Sequence, residues 1–312
     1  MDCFVWSVIH PHFTKTILIR NPKGAGRFDE KTDAFPAPHE KARQPGHQRV
    51  KTGRNAPMSA PQTIWQPAPP KTFALSAGEV HVWRTAAASS PAQEQRLAQW
   101  LLPEERARAA RYKFERDQRR AIVTQGTLRR LLGWYLDQPP EKFRFVTGPH
   151  GKPALLEPAS LRFNLSHSHG LVLLAFAWNV ELGVDVETLR PEVEAEQLTK
   201  RYFSPAEQTE WERLPATERR LGFFLGWTRK EAYLKGRGEG LSRPLDSFSV
   251  SLTPGQPACL VQDTLDPKAL QAWSLQALEP GPERVGALAV AGAGCRLSCW
   301  DWRPEDQPAF PS

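Results

Sequence analysis

Residues 182–190, "LGVDVETLR", place Asp185 and Glu187 two positions apart at the end of a hydrophobic run. On an extended chain, side chains i and i+2 point to the same face. The two carboxylates then sit about 7 Å apart, and at an intermediate effective dielectric they repel by about 2 kcal/mol. Either that face is wet, as at a strand end that reaches solvent, or an opposite charge compensates. A hard cation is the natural partner, because Mg²⁺ takes one or two carboxylates and completes its octahedron with water and substrate phosphates.

Working outward, "GLVLLAFAW" (170–178) reads as a buried strand, and Asn179 as a short turn into the acidic strand. The two strands are expected to pair as a hairpin. Upstream, "LRFNLSHSHG" (161–170) reads as a strand leading into a polar loop that holds Asn164, Ser166 and His167. Such a loop offers backbone amides, a hydroxyl and an imidazole to an anion. Ser166 beside His167 does not suit a nucleophile pair, since adjacent residues rarely orient for it and no G-x-S-x-G context exists. His169 reads as a surface residue. "KFRFVTGPHGKPAL" (142–155) is a strand, a turn and a strand, with Lys152 projecting from a turn shaped by Gly151 and Pro153.

Residues 102–136 read as a helix, opened by Pro103 and two glutamates. Its basic run includes Arg108 and Arg120. Most of that run is expected to be solvated, with a few members free to clamp a phosphate. Downstream, Ser204, Pro205 and Glu207 form a helix start with a capping box. The helix 218–236 contains "WTRKEAYLK" and ends at the Gly-rich "GRGEG". Glu231 and Lys235 share a face of it. Taken alone they would be a solvated ion pair, but Phe223, Phe224, Trp227, Tyr233 and Leu234 make the helix apolar on much of its circumference, which favours a pocket. Glu231 is thus the third acid to set beside Asp185 and Glu187. Strands at "GEVHVWRTA", "LDSFSVSL", "AWSLQAL", "GALAVAG" and "CRLSCWDW" complete an α+β chain of two helix-plus-antiparallel-sheet halves.

The boundaries are a basic, Pro-rich N-terminal extension (1–72) expected to be disordered, two halves (73–178 and 179–302) and a tail (303–312). Residues 1–57 hold 10 Lys/Arg against 5 Asp/Glu, and 58–312 hold 31 against 29. The body is therefore close to neutral, which argues against a nucleic-acid binder. Met58 opens a stretch that reads like a second beginning, so 1–57 is expected to be dispensable or an over-long gene start. The four cysteines form no disulfide framework and no paired CxxC pattern. Cys295 and Cys299 read as packing residues on one strand face. No run approaches the length of a membrane span, and the start lacks the basic region of a signal peptide. The expected location is the cytoplasm.

The combination of "GVDVE", "WTRKEAYLK" about 40 residues later, and "GKPAL" and "FNLSHS" upstream resembles the signature of 4′-phosphopantetheinyl transferases of the large, surfactin-synthetase-activator type. The resemblance spans roughly 74–302. It implies a pseudo-two-fold pair of halves similar to two fused small holo-acyl-carrier-protein synthase units. It also implies transfer of the 4′-phosphopantetheine arm of coenzyme A to a serine of an apo acyl, peptidyl or polyketide carrier, releasing adenosine 3′,5′-bisphosphate. By matching positions, Asp185, Glu187 and Glu231 would hold Mg²⁺. Lys235 would contact the transferring phosphate, and Glu231 would be the base. Arg108, Arg120, Lys152, Ser166 and His167 would bind coenzyme A, with Asn164 shaping their loop. Glu105 departs from the family, which often has a basic residue there. The chain is expected to act as a monomer, without nucleic acid or membrane. Without the resemblance, the three acids also suit another Mg²⁺-dependent phosphoryl enzyme, and the anion-binding elements suit a non-enzymatic coenzyme A or phosphate-binding module.

Overall fold

A computed structural model describes residues 63–68, 74–87, 90–292 and 294–303. The extension expected over 1–72 lies outside the described residues as far as 62 and again at 69–72, and the tail does so from 304.

Two 22-residue helices, α3 (Glu115–Leu136) and α6 (Ala216–Arg237), each cover one face of a sheet. The first sheet holds β1 (Trp65–Pro67), β2 (Glu79–Ala86), β5 (Leu161–Ser168), β6 (Leu171–Trp178) and β12 (Arg296–Asp301), in the order β1-β12-β2-β6-β5. The second holds β7 (Leu182–Thr188), β10 (Trp273–Leu278) and β11 (Arg284–Ala291), in the order β10-β11-β7. Alternation builds three apolar layers from these strands. Trp83, Val172, Leu174 and Phe176 meet Leu128, Leu131 and Leu132 of α3. Val80, Val82, Leu171, Leu173 and Ala175 meet Leu182, Val184, Val186 and Leu288 between the sheets. Leu275, Ala287 and Ala289 meet Phe223, Phe224 and Tyr233 of α6. The architecture is α+β, one helix-backed sheet in each half. Two short hairpins, β3 (Phe145–Thr147) with β4 (Pro153–Leu155) and β8 (Phe248–Val250) with β9 (Leu260–Asp263), flank it.

Helix starts follow their caps. Ser90 and Gln93 cap α1 (Pro91–Gln99), and Ser204 and Glu207, just after α4 (Ala195–Tyr202), cap α5 (Pro205–Arg213), each as a capping box. Gly238, at φ 70°, ends α6 in the left-handed conformation that glycine adopts at no steric cost.

Several expectations need correction. The helix expected over 102–136 is two, α2 (Pro103–Ala109) and α3, broken at Phe114, whose backbone is extended. The break folds α2 back so that Glu105 meets Arg129. In a continuous helix, 24 residues would separate them by about 36 Å. Asn164, Ser166 and His167 lie within β5, and the chain turns only at His169 and Gly170, both at positive φ. The hairpin of 170–178 with the acidic strand does not form. β6 pairs with β2 and β5, while β7 pairs with β11, Asp185 opposite Ala287. The residues between β6 and β7 carry the chain from one sheet to the other, and the apolar faces of the two strands pack without sharing a ladder. Strands also cross the boundary at 179. β12 returns to lie between β1 and β2, and β1 itself falls within 1–72. Trp65 anchors β1 by donating from Nε1 to the Glu279 carbonyl at 2.7 Å, beneath the Arg84 guanidinium. Cys295 and Cys299 do not share a strand face, because β12 begins only at Arg296; Cys299 is buried in the layer between the sheets and Cys295, just before the strand, packs against it partly buried. No helix among the described residues is long and apolar enough to cross a membrane.

Candidate active site

The site begins with a glycine. On β7, Gly183, Asp185 and Glu187 face α6, while Val184 and Val186 face the opposite way into the intersheet layer. A Cβ on Gly183 would stand 2.1 Å from the Ala232 carbonyl oxygen and 2.2 Å from the Gly236 amide nitrogen. Only glycine lets α6 approach so closely. The approach brings Lys235 over Asp185, and its Nζ donates to Asp185 Oδ1 at 2.6 Å.

β5 completes the cluster from the edge of the first sheet. Its alternate residues form a polar ladder across the seam to β7. Asn164 Oδ1 accepts from the Val184 amide at 2.9 Å, Ser166 Oγ donates to Asp185 Oδ1 at 2.8 Å, and Ser168 Oγ donates to Glu187 Oε2 at 2.9 Å. Lys235 Nζ also donates to Ser166 Oγ at 3.0 Å. Three chain-distant elements thus meet on Asp185, which is fully buried, with Glu187 and Lys235 nearly so. The second oxygen of that carboxylate, Oδ2, is buried and has no hydrogen-bond partner. An orphaned buried charged oxygen costs more than the ~1–3 kcal/mol of a neutral one, and a cation would satisfy it.

Glu231 stands half-buried on α6, one turn before Lys235. Among the described residues, no group of three or more His, Cys, Asp or Glu side chains could hold a metal ion. The three-acid cluster expected from sequence is therefore not assembled as these side chains stand. Asp185 Oδ1 is engaged by Lys235 and Ser166, and Glu187 Oε2 by Ser168. What fits a hard cation is the Asp185 and Glu187 pair on one strand face, with the unpartnered Oδ2 of Asp185. One or two carboxylates are what Mg²⁺ takes from protein.

The other face of β5 forms one wall of an open cleft. His167 lines it together with Arg108 of α2, Arg120 of α3, Tyr112, Asp117 and Gln125. Arg120 pairs with Asp117 at 3.1 Å. Arg108, Arg120 and His167, three of the expected coenzyme A contacts, therefore converge. Arg106, Arg111, Lys113, Arg116 and Arg119 of the same basic run are exposed. Glu105 also lines the cleft. Its carboxylate accepts from the Leu102 amide, Gln125 Nε2, and Nε and a terminal nitrogen of Arg129 at 2.7–2.8 Å. An acid at this position thus serves the packing of α2 on α3.

Lys152 is not among the cleft-lining residues. Its Nζ donates to Glu181 Oε2 at 2.7 Å, the Leu182 carbonyl at 3.1 Å and the Gly236 carbonyl at 2.7 Å, which uses all three ammonium protons. Burial pushes its pKa down, opposed by Glu181. The residue ties the β3–β4 turn to the start of β7 and the end of α6. Lys230 is a second buried tie. Its ammonium donates to the Leu245 and Phe248 carbonyls and meets Glu207 at 2.7 Å, and burial lowers its pKa.

Ser168 is the site residue that sequence reading misses. The signal is the i, i+2, i+4 spacing of Asn164, Ser166 and Ser168, visible once the segment is taken as a strand.

A family model described as "4'-phosphopantetheinyl transferase superfamily" matches residues 181–291, and one described as "4'-phosphopantetheinyl transferase, N-terminal" matches residues 86–179. The chain is 39% identical over 244 residues to the 4′-phosphopantetheinyl transferase HetI of Nostoc sp., covering 77% of this chain and 99% of HetI. It is 29% identical over 193 residues to the 4′-phosphopantetheinyl transferase Sfp of Bacillus subtilis, covering 62% and 84% of the two chains. The crystal structure of Thermotoga maritima holo-[acyl-carrier-protein] synthase aligns with 36% of this chain and 62% of its own, at 20% identity and a TM-score of 0.27.

Proposed function

The chain belongs to the 4′-phosphopantetheinyl transferase superfamily, and from that premise we propose how its residues perform the transfer of the phosphopantetheine arm from coenzyme A to a carrier protein. In this reaction a carrier serine oxygen attacks the phosphorus that bears the pantetheine. The bond to the bridging oxygen breaks, and adenosine 3′,5′-bisphosphate leaves. Phosphoryl transfer is mostly positioning and neutralisation of charge, so the protein's task is to gather cations around a diphosphate.

In our reading, the cleft between α2, α3 and β5 receives the anionic nucleotide end of coenzyme A, with Arg108, Arg120 and His167 as its donors. Asp185 and Glu187 would hold Mg²⁺, which when bound withdraws charge from the diphosphate oxygens. The observation that carries this is the buried, unpartnered Oδ2 of Asp185 at the meeting point of β5, β7 and α6. Lys235 is held by Asp185 and Ser166 where it can donate from Nζ to a phosphate oxygen. Glu231, the half-buried carboxylate on the same helix face, takes the proton from the attacking serine. Asn164 shapes the edge by binding the Val184 amide, and Lys152 ties the start of β7 to the end of α6. We place the activity in the cytoplasm, in a monomer. The two helix-backed sheets within a single chain support the second point, and the free thiols of Cys259, Cys295 and Cys299 suit the first.

The test is intact-mass measurement of an apo-carrier incubated with coenzyme A, Mg²⁺ and enzyme. The wild type should add the mass of one phosphopantetheine. Asp185→Asn and Glu231→Gln should abolish loading while retaining the fold. Unimpaired loading by either would remove that residue from the mechanism.

A further inference from the structure

We infer that Ser168 is a positioning residue for Glu187, fixing the carboxylate for a divalent cation as Ser166 fixes Asp185; the inference rests on Glu187 being a metal ligand. The two contacts are register mates. Each joins a β5 hydroxyl to the carboxylate 19 residues later, at 2.8 and 2.9 Å, from alternate positions on one strand face. Ser168 is buried, and so is Glu187.

The hydroxyl's direction is determined by its neighbours. Ser168 Oγ accepts from the Thr188 amide at 3.2 Å, so its single proton is left to donate. Glu187 Oε2 at 2.9 Å is a charged acceptor and a stronger one than His169 Nδ1 at 3.2 Å. The Thr188 amide thus aims the hydroxyl, and the hydroxyl aims the carboxylate. Groups that hydrogen-bond a metal ligand set its orientation, and removing one typically weakens metal affinity by about 10–100-fold.

The experiment is calorimetric titration of Mn²⁺ into the full chain without coenzyme A, together with the Mg²⁺ concentration giving half-maximal carrier loading. Wild type, Ser168→Ala, Ser168→Cys, Ser168→Thr and Glu187→Gln are compared. We expect Ser168→Ala and the near-isosteric Ser168→Cys to weaken Mn²⁺ binding by about 10-fold or more and to raise the Mg²⁺ midpoint in proportion, while Ser168→Thr, which keeps a hydroxyl, recovers most of the loss. A merely structural serine would lower the melting temperature and the maximal rate without moving the Mg²⁺ midpoint, and that result overturns the inference. If Ser168→Ala does not fold, Ser168→Cys decides. If Glu187→Gln weakens Mn²⁺ binding and the serine variants do not, the positioning role is wrong and the ligand assignment stands. If Glu187→Gln also binds normally, the assignment itself fails.

Discussion

Replacing Gly183 by alanine tests the packing on which the site depends. The added Cβ would stand 2.1 Å from the Ala232 carbonyl and 2.2 Å from the Gly236 amide, both backbone atoms of α6 that no rotamer change can move. Restoring ordinary contact at 3.4 Å requires β7 and α6 to separate by about 1.3 Å locally. Overpacking of this kind costs about 1–3 kcal/mol, which for a chain of this size corresponds to a fall in Tm of about 2–5 °C. The same displacement draws Lys235 away from Asp185, a contact now at 2.6 Å. A 1 Å misplacement in an active site can cost about 100-fold in rate. Gly183→Ala should therefore remain folded at 25 °C, melt early in calorimetry, and load a carrier about two orders of magnitude more slowly. A variant as stable and as fast as wild type would show that the close approach of α6 to β7 does not position the site.

Further outcomes follow from individual contacts. Glu105→Ala strips the buried Arg129 of its carboxylate, so urea denaturation should register a loss of about 3–5 kcal/mol, as for other broken buried pairs. Lys152→Met leaves the Leu182 and Gly236 carbonyls without their donor; stability should fall by about 1–3 kcal/mol, measurable in the same way. Acid should destabilise the protein in two stages. Burial lowers the His81 pKa from its ordinary 6.5, so the unfolded chain takes up a proton that the fold does not, and stability declines as pH falls through about 6.5. Burial alone would raise the Glu79 carboxyl, but hydrogen bonds from Arg296, the Ser76 amide and Ser298 hold it at about 2, so its contribution is complete above 4.5 and disappears between 4.5 and about 2. Urea midpoints measured across this range should fall throughout, and Glu79→Gln should flatten the lower stage.

How much of this the chain announces depends on the range of the interaction. The shared face of Asp185 and Glu187 follows from the two-residue repeat of a strand. The cap at Ser204 and Glu207, and the end of α6 at Gly238, are local chemistry and are readable as such. Lys235 can be placed on a buried helix face from its apolar neighbours, but its partner, Asp185, lies 50 positions away. Nothing local distinguishes that pairing from an ion pair with Glu231. The failed hairpin has a related cause. Strands β6 and β7 satisfy any local rule for pairing, and only the presence of β11, about a hundred residues later, offers β7 a different ladder. Lys152 illustrates the limit for charged residues. A lysine between glycine and proline reads as projecting outward, and its burial arises because two backbone carbonyls from distant elements converge on it. Ser168 was within reach. Taking the segment as a loop hides a two-residue repeat that, in a strand, predicts three polar groups on one face.

The most direct measurement of the central claim is a crystal structure with coenzyme A and Mn²⁺, using anomalous scattering to locate the ion. The account predicts a peak bonded to Asp185 Oδ2 and a Glu187 carboxylate oxygen, beside the coenzyme's diphosphate. A peak elsewhere, or coenzyme A bound in the cleft with Asp185 Oδ2 still without a ligand, would contradict it.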